Sequence, residues 1–216
     1  MSPNSFNDLK ELLEKLPGIG PRQASRFIWA MLDFEPKERE NMASLINSLD
    51  QHLKRCGECL RAHLATKSPS GDLATVCSFC QPISNRDHSK IMVVERDSDL
   101  LNIEKSKIYG GLYHVLGGAL DLLEKDEGVR KSIKFLKVRA ESGKVKEIIL
   151  ALSPVKLGEF TAGFIEKVFE PFSKPASPAG GSQKLKISRL ARGLATGTDL
   201  EYADETTLKQ AIDNRK

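Results

Sequence analysis

Four cysteines within 25 residues constrain the fold of this chain more than any other feature. They form two Cys-x-x-Cys pairs, Cys56 with Cys59 and Cys77 with Cys80, separated by 17 residues. Each pair brings two thiolates to one ion, and two pairs complete a tetrahedral shell of four sulfurs with no open position for water. The spacing therefore predicts a structural zinc finger over 56–82. Iron is the alternative ion, since four sulfurs suit it too.

Composition describes a globular chain that needs no disulfides to hold it together. The 216 residues include 33 Lys+Arg and 29 Asp+Glu, a net charge of +4, and 40% of them are hydrophobic. These values exclude collagen-like, disordered and coiled-coil chains. No apolar run is long enough to span a bilayer, and the first residues show no secretory signal. We therefore expect a cytoplasmic chain without a membrane partner, in a compartment where clustered thiols bind metal.

The first 55 residues have the pattern of a small helical module. Two stretches of apolar residues at helical spacing flank a Pro/Gly-rich breaker at 16–21. Pro36 begins a third helix, which we expect to close a small bundle. Its predicted apolar face comprises Met42, Leu45, Ile46, Leu49 and Leu53.

The breaker also has a possible function in phosphate binding. Gly18 and Gly20 allow backbone N–H groups to approach a phosphate, and the start of the next helix favours an anion. Arg22 and Arg26 lie four residues apart on one helix face and can contact neighbouring phosphates. A plain helix–helix turn is the alternative, because residues 1–55 carry 8 basic and 8 acidic side chains and no general basic field.

From residue 88 onward the pattern becomes α/β. Short apolar runs at 91–94, 112–116, 148–152 and 185–187 predict strands, and helices are expected at 97–106, 117–140 and 158–170. This alternation predicts a mainly parallel sheet over 88–188. Residues 173–183 are predicted to form a surface loop. Asp204 is predicted to be the N-cap of a last helix within 189–216.

Two stretches of the α/β part are strongly basic. Residues 128–146 hold seven basic side chains and one acid, and residues 174–192 hold five basic side chains and no acid. Each stretch is either a surface that tracks phosphates or a solvated face.

Acidic residues follow the first strand of the predicted sheet. Glu95 ends that strand and Asp99 comes shortly after it, at the sheet edge where metal-dependent phosphoryl chemistry would lie. A two-metal site needs further carboxylates from a neighbouring strand, and Glu159 is the only acid close behind the run at 148–152. No phosphate-cradling Gly-x4-Gly-Lys loop occurs either. Catalysis is therefore poorly supported, and a structural or vestigial role for Glu95 is favoured.

The order of hairpin, cysteine pairs and α/β sheet resembles the RecR family of bacterial recombination proteins over nearly the whole chain. The stretches that carry the resemblance, besides the cysteines, are LPGIGPRQASR at 16–26, IMVVERDSD at 91–99, YGGLYHVLGG at 109–118, RLARG at 189–193 and DLEYADETTL at 199–208. The chain departs from the family at Leu157, since the family usually carries Glu-Gly-Glu where this sequence reads Leu-Gly-Glu.

The resemblance implies a multi-module α+β chain. Its modules would be a helix-hairpin-helix at 1–55, the zinc finger at 56–82, a Toprim domain at 88–188 and a helical C-terminal segment at 189–216. It further implies a non-enzymatic, nucleoid-associated DNA repair protein that forms a dimer or a tetrameric ring around DNA. Such a ring works with RecO and RecF to load RecA at gaps.

Residue roles follow from the same resemblance. Gly18, Gly20, Arg22 and Arg26 would face DNA without sequence preference, and the four cysteines would hold one zinc ion. Glu95, Asp99 and Glu159 would be the acidic Toprim positions, where the family meets RecO. The alternative within the same fold is a Mg²⁺-dependent nuclease, primase or topoisomerase that uses Glu95. A protein-interaction adaptor that never touches DNA is a third possibility.

Overall fold

The computed structural model describes residues 5–65, 74–121, 127–173, 185–191, 193, 194, 197 and 199–214. Within these ranges no helix is both long enough and apolar enough to cross a membrane. The chain divides into two compact units, Met1–Leu53 and Lys54–Lys216. The first unit is helical, and the second contains a parallel sheet.

The first unit begins with a pair of helices, α1 (Ser5–Glu14) and α2 (Pro21–Leu32). Pro21 opens α2, as the sequence predicts, because the missing N–H of a first helical residue costs no hydrogen bond. Ala24 and Ile28, one turn apart on α2, are buried. The apolar spacing of the first helix predicts a buried face, and this prediction is wrong, since α1 has no buried residue and Leu12 is 58% exposed.

The third helix, α3 (Pro36–Asn47), begins at Pro36 as predicted, but among the described residues its apolar face is not buried in a bundle. None of its residues is buried, and Leu45 and Ile46 are 58% and 56% exposed. The backbone leaves the helical conformation at Ser48. The remaining residues of the predicted face therefore lie in other elements, Leu49 in α4 (Leu49–His52) and Leu53 in β1 (Leu53–Arg55).

The second unit contains two sheets. In the smaller one β1 pairs with β2 (Ala62–Leu64). The larger sheet has the order β4-β3-β5-β6, and every pairing in it is parallel, which confirms the predicted sheet. Its strands are β3 (Asp87–Val94), β4 (Gly111–Val115), β5 (Glu147–Ala151) and β6 (Lys186–Arg189).

Helices cover both faces of the parallel sheet. Ile91 and Val93 of β3 share a core with α6 (Glu127–Glu141) and α7 (Lys156–Ser173). Met92 and Val94 belong to a second core with Leu100 of α5 (Asp97–Ser106). Since successive strand residues face opposite sides, burial on both sides explains why β3 reads as a continuous apolar run.

The helix predicted over 117–140 begins later than expected. Residues 117–121 are not helical, because Gly117 and Gly118 take positive φ angles of 91° and 154° that end the strand in a turn. Within the described residues the helix starts at Glu127. At the other boundary α7 continues to Ser173, so the first residue of the predicted loop is helical and 174–183 lie outside the described residues.

The C-terminal segment has the predicted helix start. Asp204 Oδ1 accepts a hydrogen bond from the Thr207 backbone amide at 3.0 Å and caps α8 (Glu205–Asp213). A 3-10 turn, Leu200–Tyr202, precedes this cap.

Candidate metal centre, acidic sheet edge and hairpin

The four cysteines lie together in one buried cluster. All four Sγ atoms lie within 4.8 Å of one another, and those of Cys59 and Cys77 are 3.6 Å apart. A tetrahedral ion with metal–sulfur bonds of about 2.3 Å places its sulfurs about 3.8 Å apart. The cluster therefore has the size and the donors of a closed four-sulfur metal site.

Local backbone geometry prepares these sulfurs for a metal. The amides of Glu58 and Cys77 donate hydrogen bonds to Cys56 Sγ at 3.4 and 3.3 Å. Leu60 takes a φ of +63°, which lets its amide reach the Cys56 carbonyl at 3.0 Å and close the turn. Hydrogen bonds from the other three cysteines lower the pKa of the Cys56 thiol well below its usual value. The same network raises the pKa values of the Cys59 and Cys80 thiols, so the grouping of four sulfurs, and not the acidity of the thiols, indicates the metal site.

The cluster is fixed to the edge of the parallel sheet. The amide of Val115, in the edge strand β4, donates to the Cys59 carbonyl at 2.9 Å. Arg139 of α6 donates from Nη1 to the Tyr113 carbonyl at 2.7 Å and from Nη2 to Cys80 Sγ at 3.6 Å. The cysteine cluster thus caps a strand edge that would otherwise be open to pairing.

A second contact involves Phe79, which lies between Cys77 and Cys80. The guanidinium carbons of Arg61 and Arg86 lie 4.1 and 3.7 Å from the centre of its ring. Arg86 also forms an ion pair with Glu104 of α5 and donates to the Gly111 carbonyl at 3.0 Å. Together these contacts tie the second cysteine pair to the sheet and to α5.

The structure reveals four side chains that support the cluster and that sequence reasoning missed: Arg61, Phe79, Arg86 and Arg139. Phe79 carried one usable signal, since a large apolar residue inside a polar finger needs a surface to cover it. The arginines carried none, because Arg139 lies 59 residues from the cysteine it contacts.

Glu95 lies at the carboxyl edge of the sheet, where it is buried and hydrogen-bonded. Ser153, which follows β5, donates to it from its amide at 2.8 Å and from its hydroxyl at 3.2 Å. Gly158 approaches so closely that a Cβ there would collide with the Ser153 carbonyl oxygen and press on Glu95 Oε1. The carboxylate is thus held by the protein itself.

The other acidic positions also have protein partners. Asp99 accepts from the Arg96 amide at 2.8 Å and caps α5, and Glu159 forms an ion pair with Arg189 at 3.0 Å. Arg189 pairs with Glu166 as well, at 2.7 Å. Asp97 accepts from the Ala62 amide at 2.8 Å. Among the described residues, the four cysteines are the only group of three or more His, Cys, Asp or Glu side chains placed to hold a metal.

The hairpin between α1 and α2 has the geometry of a tight turn. Gly18 takes a φ of +81°, and the Ile19 amide donates to the Leu16 carbonyl at 3.1 Å. Gly20 stands before α2 without a side-chain cap, and the first turn of α2 carries no acid. Arg22 and Arg26 are both exposed. The four residues predicted to contact DNA therefore lie on one turn and the helix that follows it.

A parallel sheet with acids at its carboxyl edge, beside four cysteines grouped closely enough to hold a metal, is the arrangement of a Toprim-domain protein with a four-cysteine finger. The family model of the Toprim domain matches residues 89–191, and the model described as RecR, C-terminal, matches residues 193–216. The chain is 36% identical over 213 residues to Recombination protein RecR of Staphylococcus saprophyticus, covering 99% of this chain and 97% of that one. It therefore belongs to the RecR family of recombination proteins.

Relatives of the same name occur in other bacteria. Recombination protein RecR of Bifidobacterium animalis is 36% identical over 201 residues, covering 93% of this chain and 90% of the relative. The protein of that name from Dehalococcoides mccartyi is 34% identical over 210 residues, covering 97% and 93%. The predicted resemblance is confirmed, and these relatives indicate a protein of recombinational repair.

Proposed function

We propose that this chain is a non-catalytic, DNA-binding protein of recombinational repair that surrounds DNA as a ring of identical chains. The observation that carries the DNA-binding proposal is the hairpin at Gly18–Gly20. Its uncapped turn leads into α2, and exposed Arg22 and Arg26 follow within the first two turns. Backbone amides and the helix dipole attract a phosphate there, and the two arginines hold its neighbours.

Salt dependence tests the hairpin directly. Replacing two phosphate-binding arginines, Arg22→Ala with Arg26→Ala, should reduce the slope of log affinity against log salt by about 1.8 on duplex DNA. The control, Lys15→Ala with Lys37→Ala, removes the same charge from exposed positions of the same unit. Equal slopes for the two variants would show that the hairpin does not bind phosphate.

Assembly into a ring is supported by apolar surface in the first unit. Large apolar side chains are exposed on all three of its longer helices, among them Leu12, Trp29 and Leu45. Surface of this kind marks a protein-interaction site. A second copy of the chain is the proposed partner, as a dimer or a tetramer, because closed symmetric assemblies are the commonest oligomers of soluble proteins.

The absence of catalysis is supported by the protein contacts that the acids at the carboxyl edge of the sheet already make. A Mg²⁺ site needs carboxylate oxygens that converge and remain open to an ion. Here Ser153 binds Glu95, Arg189 binds Glu159, and Asp99 caps α5. We therefore expect no metal-dependent cleavage, priming or strand passage. Such an activity in the parent protein, lost in Glu95→Gln, would establish the enzymatic alternative.

Zinc is the proposed ion of the cysteine cluster. Four buried thiolates form a closed shell that suits a structural zinc ion, which adds folding energy to a finger with little apolar core. Metal analysis should find one zinc ion per chain. A cluster that holds iron, or that remains folded without metal, would contradict this assignment.

The proposed partners are DNA, RecO and RecF, and the proposed outcome is RecA loading at gaps. This proposal rests on membership of the RecR family rather than on a contact surface of the chain. Binding to purified RecO, measured with the parent and with Leu157→Glu, would test whether the departure at Leu157 changes that contact. No binding by either protein would exclude RecO as a partner.

A further inference from the structure

The two edges of the parallel sheet in the second unit carry different charged side chains. The acids at 95–99 and Glu159 lie beyond the carboxyl ends of β3 and β5, whereas lysines gather at the opposite, amino edge. There Lys90 aligns with Glu147, and Glu147 aligns with Lys186. Lys144 and Lys146 lie just before β5 at the same edge, and both are exposed.

Of the lysines at this edge, the two before β5 are the ones that no acidic side chain of the described residues neutralises. Lys90 pairs with Asp87, and Lys186 pairs with Glu147. Lys144 and Lys146 have no acidic partner among the described residues. The segment that ends with them, 128–146, holds seven basic side chains and a single acid. The edge is therefore a positive surface with free ammonium groups.

A groove of about 480 Å³ opens beside Lys144, between α6 and the second cysteine pair, and Lys146 follows two residues later on the same exposed edge. Leu112 and Val145 lie in its apolar lining, and Lys144 is one of its walls. The Glu58 carboxylate also lines the groove, where it is paired with Arg139 at 3.7 Å. Phe135 and Val138 of α6 also line it and are 36% and 63% exposed. An exposed aromatic ring beside lysines is the combination by which proteins bind single-stranded nucleic acid, since bases stack on the ring and ammonium groups hold phosphates.

We propose that this groove binds single-stranded DNA, with unpaired bases against Phe135 and Val138 and phosphates on Lys144 and Lys146. The inference rests on the proposed DNA-binding function and gives the second unit its own contact with DNA. Duplex DNA cannot fill the groove in this way, because its base faces are stacked inside the helix. An acidic peptide is the competing occupant.

The phosphate contacts are tested with labelled oligothymidylate and the zinc-loaded full chain. Lys144→Gln with Lys146→Gln should reduce the slope of log affinity against log salt by about 1.4, since each single-strand contact contributes about 0.7. The control, Arg96→Gln with Lys156→Gln, removes the same charge from exposed positions at the carboxyl edge. It should leave the slope unchanged, and equal slopes for both variants would overturn the proposal.

The base contact is tested with Phe135→Leu, which keeps apolar volume beside His114 but removes the ring. We expect about tenfold weaker binding of oligothymidylate, the effect of losing one base–aromatic stack, with duplex affinity unchanged. Unchanged affinity for oligothymidylate, or an equal loss with duplex, would overturn the proposal. An acidic peptide whose binding to the parent is weakened by Phe135→Leu, while oligothymidylate binding is not, would have the same consequence.

These results separate the inference from the function on which it rests. A parent protein that binds no DNA would contradict the proposed function itself. If the parent binds, Arg22→Ala with Arg26→Ala weakens binding, and Lys144→Gln with Lys146→Gln does not, only the groove assignment fails.

Discussion

Replacement of Arg139 should make the metal centre open more easily although none of the four cysteine ligands is substituted. Its guanidinium donates to the Tyr113 carbonyl at 2.7 Å and to Cys80 Sγ at 3.6 Å, and it lies 3.7 Å from Glu58. The side chain is only 9% exposed, so solvent cannot replace these contacts when it is removed. Arg139→Met keeps most of the apolar stem and deletes the charged donors.

The structure sets the size of the effect. Hydrogen bonds from a charged donor contribute about 1.5–3 kcal/mol, and an acceptor left buried without a partner adds to the loss. The ion pair with Glu58 adds little, because the Glu58 carboxylate is half exposed to solvent and lies 3.7 Å away. We expect the cysteine cluster to open about 3 kcal/mol more easily, which corresponds to roughly a hundredfold faster release of zinc through local opening.

The assay is the rate of zinc transfer to a coloured chelator present in excess. Lys134→Met is the matched control, because Lys134 lies exposed on the same helix. The control should release zinc at the parental rate, since surface substitutions usually change stability by less than about 0.5 kcal/mol. Equal release rates for Arg139→Met and Lys134→Met would refute the idea that Arg139 fixes the cluster to the sheet.

Three further predictions follow from buried positions. Gly158→Ala should lower the Tm by about 6 °C, because its Cβ forces the Ser153 carbonyl to move. Gly163→Ala, in the same helix with open space at Cβ, should raise it by about 2 °C, and calorimetry giving the same sign for both would contradict this account. Burial lowers the pKa of His114 to about 3, so the folded protein keeps this side chain neutral. The unfolded chain protonates it at the ordinary pKa of 6.5, so the stability present above pH 6.5 is lost as the pH falls below 6.5. Urea titrations should show a loss of about 2 kcal/mol between pH 7 and 5 that His114→Gln reduces, and identical pH profiles would disprove it. Cys77→Ser should abolish stoichiometric zinc in metal analysis, and full zinc retention would mean that the other donors suffice.

Local sequence patterns predicted the strands, helix starts and caps that are determined by residues close together in the sequence. The strand at 91–94 was readable because burial on both faces leaves a continuous apolar run. Pro21 and Pro36 marked helix starts, and Asp204 marked a cap, since each acts within one turn. The cysteine spacing likewise contained the whole donor set.

Other features were beyond the reach of local patterns. The helical spacing of α3 predicted an apolar face that includes Met42, Leu45 and Ile46 but not what covers it, and no residue of α3 is buried among the described residues. Gly117 ended a predicted helix through a positive φ that spacing does not encode. Arg139 and Arg189 act across distant parts of the sequence, so their contacts exist only after the sheet has formed.

Native mass measurement of the zinc-loaded protein, with and without DNA, tests the central claim most directly. We expect an assembly of identical chains, with one zinc ion for each chain, that gains the mass of bound DNA. Four chains would support the ring most strongly. A monomer that carries no zinc and gains no DNA mass at micromolar concentration would contradict the account.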